Sequence, residues 1–397
     1  MYRHSRKRKK YPIYIAGAIL VLAVGFLSGE YLSARQAAVA PVPQAANPPI
    51  TKPTTTLAVE TQQTIEPHDK LADSLQEQLV QRNFSGTVLV YHDGHLILNK
   101  AYGWKNQEQQ LQNQVSTQYC IGSVEKGQTA YLLMEAVKAG KVQLTDKLSQ
   151  YYPQIKNSET ITLRDMLNMS SGLKLNDKIK AEPTTDEKDI LAHAILQAEV
   201  GEKVYSYQPI NYVLLTGIIE QVTGKDYYDL FNQQITKSFQ LSHTSFAQDH
   251  SEEQARSYQE TNGTDTFTNE SAASYASELG TGNVFMSAGD LFLYFHSLLS
   301  GEKLATQDRE TLWGNYPNEQ YAAGIYNMSN HYHSRGVKAN FETIVNYSKD
   351  GQNAIILLSN KHIENTSFNE LGDQLFNQLV QADETTASNK LSTSASS

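Results

Sequence analysis

Hydrophobic spacing divides the chain into segments before any single residue needs naming. "DKLADSLQEQLVQRN", residues 69–83, places leucines at 71, 75 and 79, a helical period. "SGTVLVYHDGHLILNKAYG" follows, with two β-rich runs around His92-Asp93-Gly94, the signature of a tight hairpin. "TAYLLMEAVKAGKVQL" returns to apolar residues three and four apart, with Gly140 placed to end the helix. A middle region of helices and loops extends to about residue 300. "GVKANFETIVNYS" and "NAIILLSN" then alternate or concentrate β-branched residues across a turn at Lys349-Asp350-Gly351. "FNELGDQLFNQLVQ" supplies a last amphipathic helix. Strands at both ends with helices between them predict an α+β fold. One antiparallel sheet is assembled from distant parts of the chain and flanked by helices, with a mostly helical region inserted.

The flanks follow other patterns. From Tyr11 to Gly29 no residue is charged, a run close to the ~30 Å of a bilayer core, which predicts a transmembrane anchor over residues 11–32. Arg3, Arg6, Lys7, Arg8, Lys9 and Lys10 precede it. This basic tail, residues 1–10, stays in the cytoplasm and puts everything after the anchor outside. The expected location is the cell membrane, single-pass, with an extracellular domain. Residues 33–68, rich in Ala, Pro and Thr, predict an extended linker, residues 69–383 one globular unit, and residues 384–397 a disordered polar tail.

Charge narrows the partners. The full chain has 33 basic and 42 acidic residues; without the six of the tail, 27 basic remain and the net charge is near −15. Such a surface argues against nucleic acid and suits a cationic group on a substrate. Cys120 is the sole cysteine, so no intramolecular disulfide forms. Its expected role is core packing.

Candidate chemistry begins at "YCIGSVEKGQ", where Ser123 and Lys126 share a helix face. At the positive end of a helix dipole an alkoxide is favoured, and a buried amine there sheds its proton more readily. The pair therefore suits a nucleophile and its base. The same spacing recurs at Ser171–Lys174 and Ser300–Lys303, but only Ser123 stands at a helix start with strands before it. Glu125 is expected to point away around the helix, and Asp290 to cap the helix "LFLYFHSLL". His331 and His333 lie on one side of a strand with no third ligand in sight, so no metal is expected and no cofactor is called for.

Ordered stretches carry a resemblance: "FSGTVLVYHDGHLILNKAYG", "YCIGSVEKGQTAYLLMEAVKAGKVQLTDKLSQYYP", "ITLRDMLNMSSGL", "VGEKVYSYQPINYVLLTGIIEQVTGKDY" and "GTGNVFMSAGDLFLYFHSLLSG". Together they resemble the serine β-lactamase/penicillin-binding-protein superfamily, in particular its class C β-lactamase-like and DD-carboxypeptidase-like serine hydrolases. The resemblance implies a β-lactamase/DD-peptidase-like fold, with Ser123 as nucleophile and Lys126 as base. The family's second motif, Tyr-Ser-Asn or Tyr-Ala-Asn, falls on Tyr207-Gln208-Pro209, which implies Tyr207 as the proton relay, with Tyr205 as the other candidate. Asn211 is the candidate replacement for the missing amide. The third motif, Lys-Thr-Gly or His-x-Gly, falls on Ser334-Arg335-Gly336. The family's cation has become Ser334; Arg335 or His333 restores one only if the strand shifts register. The backbone N–H groups of Ser123 and Val337 are implied as the oxyanion hole.

The implied activity is extracytoplasmic serine acyl-hydrolysis of D-alanyl groups in the cell envelope. Two bonds compete: the D-Ala-D-Ala amide of peptidoglycan stem peptides and the D-alanyl ester of teichoic acid. A catalytically inactive module that binds wall polymer is the alternative of another class, and the retained Ser123–Lys126 pair discriminates against it.

Overall fold

The computed structural model describes residues 54–314, 321–364 and 366–394, with side chains from Thr56 to Gln381. The expected basic tail and anchor, and the linker as far as residue 53, lie outside the described residues. Among the described residues no helix is long and apolar enough to cross a membrane.

Helix α1 (Lys70–Gln81) starts where Asp69 accepts a hydrogen bond from the Ala72 N–H at 2.8 Å, and it buries Ala72, Leu75 and Leu79. Strands β1 (Gly86–His92) and β2 (His95–Tyr102) form the expected hairpin. Asp93 and Gly94 both adopt positive φ, 47° and 83°, as a two-residue turn between twisted strands requires. Helix α2 (Glu125–Lys138) ends with Gly140 at φ 68°, the left-handed residue expected there. Helices α3 (Ile210–Thr223) and α4 (Ala288–Leu299) belong to the inserted region. The cap of α4 is Ser287, which accepts from Asp290 N at 3.1 Å, and not Asp290 as expected. Asp290 sits one turn in, where its carboxylate accepts from His243 N and Thr244 Oγ1, each at 2.7 Å.

The chain then adds β3 (Tyr321–Ala322), β4 (Ile325–Asn327), β5 (His331–Lys338), β6 (Phe341–Ser348), β7 (Ala354–Ser359) and helix α5 (Phe368–Ser394). The sheet has the order β3-β4-β5-β6-β7-β1-β2 and is antiparallel throughout. Gly86 pairs with Ser359, so the first hairpin docks on the last strand. Alternation gives the sheet two apolar faces. Val88, Val90, Ile344, Ile355 and Leu357 pack with α1 and α5. Leu89, Tyr91, Val345, Ile356 and Leu358 face the inserted helices. A smaller sheet pairs Tyr119–Cys120 with Val284–Met286, and that strand with Thr244–Phe246.

Both expected boundaries of the globular unit move. Residues before 69 are packed: Thr54–Glu60 is a helix with Leu57 fully buried. The Asn99 amide donates to the carbonyls of Thr61 and Gln63, and Ile65 exchanges backbone hydrogen bonds with Asn99. A buried partner for its backbone and two apolar anchors hold a stretch whose composition suggests a spacer. At the other end α5 runs to Ser394, past residue 383, since a helix nucleated by its buried half extends at one hydrogen bond per residue.

Candidate active site

Ser123 lies on a 3₁₀ turn, Gly122–Val124, that runs into α2. Gly122 takes φ 51° where the chain reverses out of the short strand Tyr119–Cys120. A Cβ on Gly122 would come within 2.8 Å of Val337 N, and one on Gly336 within 1.8 Å of the Ile121 carbonyl oxygen. Two glycines therefore let the nucleophile turn and strand β5 touch backbone to backbone. The two-residue turn Ala339-Asn340 makes Lys338 and Phe341 the hydrogen-bonded closing pair of the β5–β6 hairpin. Alternation then leaves the Val337 N–H facing away from β6, toward the edge where Ser123 sits.

Lys126 is 1% exposed. Its Nζ donates to Ser123 Oγ and to the Thr281 carbonyl oxygen, each at 3.0 Å, and lies 5.3 Å from the centre of the Tyr207 ring. Tyr207 is held edge-on by Tyr321 at 5.6 Å. Tyr205, the other candidate, is exposed, with its ring against Tyr321 at 6.4 Å. The remaining Ser-x-x-Lys matches do not pair. Lys174 reaches Glu199 at the surface, and Lys303 reaches Ser238 Oγ. Ser171 donates to Asn211 and Ser300 to the Ser297 carbonyl.

Three candidate residues are turned elsewhere. Asn211 is buried in the first turn of α3, where it accepts from Ser171 Oγ at 2.5 Å and donates to the Gln208 carbonyl oxygen at 2.9 Å. Its amide braces the loop before α3 and is committed there. Arg335 and His333 share the opposite face of β5 from Ser334, the outcome that strand alternation dictates without a register shift. Arg335 pairs with Glu342. His333 is buried against Asn346, Nδ1 to Oδ1 2.6 Å. Burial pushes the His333 imidazole below its usual range, and it pushes His331 down to about 4, with help from His333 and Lys349. Neither histidine is a cation near neutral pH. Asp373 of α5 is the third group that the sequence did not reveal beside them, with one donor atom from each of the three within 4.8 Å. Asn346 bridges this trio by accepting at His333 and donating to Asp373 at 3.1 Å.

Ser334 and Gly336 do face the Ser123 side; Ser334 Oγ donates to the Gly324 carbonyl oxygen at 3.1 Å. On that same face, two residues past Gly336, stands Lys338, which sequence reasoning missed although a period of two marks it. Its Nζ reaches Ser274 Oγ at 3.0 Å and Glu278 Oε1 at 3.4 Å. Glu278 Oε2 also accepts from Thr281 Oγ1 at 2.9 Å. Burial opposes the Glu278 charge, but Lys338 and Lys126 outweigh it and hold this carboxyl below the usual range.

Two neighbours of the nucleophile are structural. Glu125 is fully buried, accepting from Asn283 N and Val284 N at 2.6 and 3.1 Å. Burial pushes its carboxyl up to about 8, against the pull of those N–H groups and Lys126. Cys120 packs in the core as expected, its thiol pushed up to about 12 by burial.

Residues 68–379 match the Beta-lactamase family model. The Bacillus subtilis (strain 168) protein PbpX is 27% identical over 339 residues, 84% of this chain and 83% of that one. The teichoic acid D-alanine hydrolase of Staphylococcus aureus is 32% identical over 182 residues, 45% of this chain and 44% of that one. Among solved structures, FmtA from Staphylococcus aureus superposes with a TM-score of 0.69 at 23% identity, over 82% of this chain and 95% of that one. A pairing of one serine with one buried lysine, on the fold that these relatives share, places the chain in the β-lactamase family of serine hydrolases.

Proposed function

We propose that the protein is a membrane-anchored, extracytoplasmic hydrolase that removes D-alanyl groups from the cell envelope, and that its substrate is the D-alanyl ester of teichoic acid. The observation that carries the choice of ester is the orientation of β5. Ser334 stands where the family's cation would meet a substrate carboxylate, while Arg335 and His333 face the other way, one ion-paired and one buried. A D-Ala-D-Ala terminus would bring its carboxylate to Ser334, which carries no charge, while Lys338 on that face is engaged by Ser274 and Glu278, and a carboxylate without a cationic partner is costly there. A D-alanyl ester has no free carboxylate. The partial match to a teichoic acid D-alanine hydrolase supports the same reading.

In this mechanism Ser123 Oγ attacks the ester carbonyl while its proton passes to Lys126 Nζ, 3.0 Å away. The oxyanion is held by the N–H groups of Ser123 and Val337. Collapse breaks the C–O bond, and the polyol oxygen leaves with a proton relayed from Lys126 through Tyr207. Water then cleaves the acyl-enzyme, freeing D-alanine and restoring Ser123. The uncharged run Tyr11–Gly29 anchors this domain at the outer face of the cell membrane.

The test compares D-alanine release by the purified extracellular portion from D-alanylated teichoic acid and from wall stem peptides ending in D-Ala-D-Ala. Release from the ester and not from the peptide is expected; the reverse preference overturns the assignment.

A further inference from the structure

The proposed substrate carries an ammonium one carbon from the scissile carbonyl, and the described site has one carboxylate placed to meet it. Glu278 is tied into the site at two points. Its Oε2 accepts from Thr281 Oγ1, and the carbonyl of that same Thr281 holds the nitrogen of Lys126. Gly282 separates Glu278 from the nucleophile turn. A Cβ on Gly282 would lie 3.3 Å from Glu278 Oε2 and 3.4 Å from Gly122 Cα. The carboxylate therefore reaches the backbone beside Ser123 across a gap that a side chain on Gly282 would fill.

Its resting partner is Lys338, which projects from the same face of β5 as Ser334 and Gly336. Lys338 does not depend on Glu278 alone: the carbonyl oxygen and Oγ of Ser274 each accept from it at 3.0 Å, closer than the 3.4 Å to Glu278. Its Nζ also lies 5.7 Å from the centre of the Tyr275 ring. The Glu278 side chain keeps 31% of its surface exposed against 13% for Lys338, so the pair is partly buried, but an incoming ammonium restores the charge partner that Glu278 gives up. Exchange of one ammonium for another at Glu278 thus costs little.

We infer that Glu278 is the subsite for the substrate's α-ammonium, and that Lys338 is the built-in cation it releases when the D-alanyl group binds. This deepens the reading as a D-alanyl esterase and rests on it. The subsite selects aminoacyl over simple acyl groups, and it favours an amine on the side of the carbonyl where Thr281 and Gly282 lie.

The test uses two small esters on each protein, D-alanine methyl ester and its N-acetyl derivative, with kcat/KM measured for both. The ratio of the two constants cancels losses from misfolding or from a disturbed Lys126, because both esters need the same nucleophile. In Glu278→Gln the ratio of free-amine to N-acetyl ester falls about tenfold, the scale of one lost charge-assisted contact, through KM. In Lys338→Gln the ratio rises, since Glu278 has lost its competing cation. An unchanged ratio in Glu278→Gln, or a shift in the same direction in both variants, overturns the inference while leaving the esterase assignment intact. Wild-type protein that cleaves neither ester overturns the assignment itself, and the inference with it.

Discussion

Arg335 and Glu342 form a forked pair, with Nε and Nη2 at 2.9 and 2.8 Å from the same carboxylate oxygen, on the face of the sheet turned away from Ser123. The pair makes Arg335 part of the packing of α5, because Glu342 Oε2 also accepts from the Phe368 N–H at 3.4 Å. Arg335→Gln therefore leaves kcat/KM for D-alanyl esters unchanged. It lowers the urea midpoint, because a mostly buried carboxylate loses its charged partner, a cost of about 1–3 kcal/mol. A sharp rise in KM with unchanged stability would place Arg335 in the site.

Gly336 bears on the oxyanion hole. A methyl group there collides with the Ile121 carbonyl oxygen at 1.8 Å and approaches Ser123 N to 2.9 Å. Gly336→Ala should push β5 off the nucleophile turn and separate the two donors. Loss of one such donor lowers kcat by about 10²–10³-fold. Circular dichroism should stay native, since the collision lies at the sheet edge. Near-wild-type kcat in this variant would exclude Val337 as a donor.

Glu125 gives a pH signature. Its folded-state value of about 8 lies above the 4.5 of an ordinary glutamate, because the side chain is fully buried. The folded protein thus binds this proton more tightly than the unfolded chain does. Stability from this group is complete below about pH 4.5 and is lost as pH rises through about 8. Urea midpoints across that window should fall for the wild type relative to Glu125→Gln. Parallel curves for the two proteins would contradict it.

The Ser123–Lys126 spacing recurs twice elsewhere and is singled out only by its helix start and by the family resemblance. Sequence pattern located the central strands, because period-two alternation is a local signal. The hairpin at Asp93-Gly94 is legible for the same reason: positive φ at both positions selects such residues. Glu278 and Lys338 were not legible. Sixty residues separate them, and only the approach of Ala272–Ala276 to the end of β5 brings them together. Asp373 joins His331 and His333 through helix packing that no local period records. Asn211 misled because its offset from Tyr207 says nothing of direction; its amide is consumed by Ser171 and Gln208. The early boundary was hidden as well, since Leu57 and Ile65 are sparse apolar anchors in a Thr-rich stretch and their burial depends on distant partners.

Topology is tested on whole cells. With Tyr11–Gly29 as an uncleaved anchor, full-length protein fractionates with membranes, and external protease removes the domain while sparing the basic tail. A soluble form beginning near Ala34 would contradict the anchor.

The central claim is that Ser123, activated by Lys126, carries the D-alanyl group. Acid quenching during turnover of D-alanylated teichoic acid, followed by peptide mass spectrometry, tests it most directly. The account predicts a D-alanyl adduct on the peptide containing Ser123, no adduct in Ser123→Ala, and D-alanine release by that variant lowered by orders of magnitude. An adduct on another residue, or D-alanine release that survives Ser123→Ala, would contradict it.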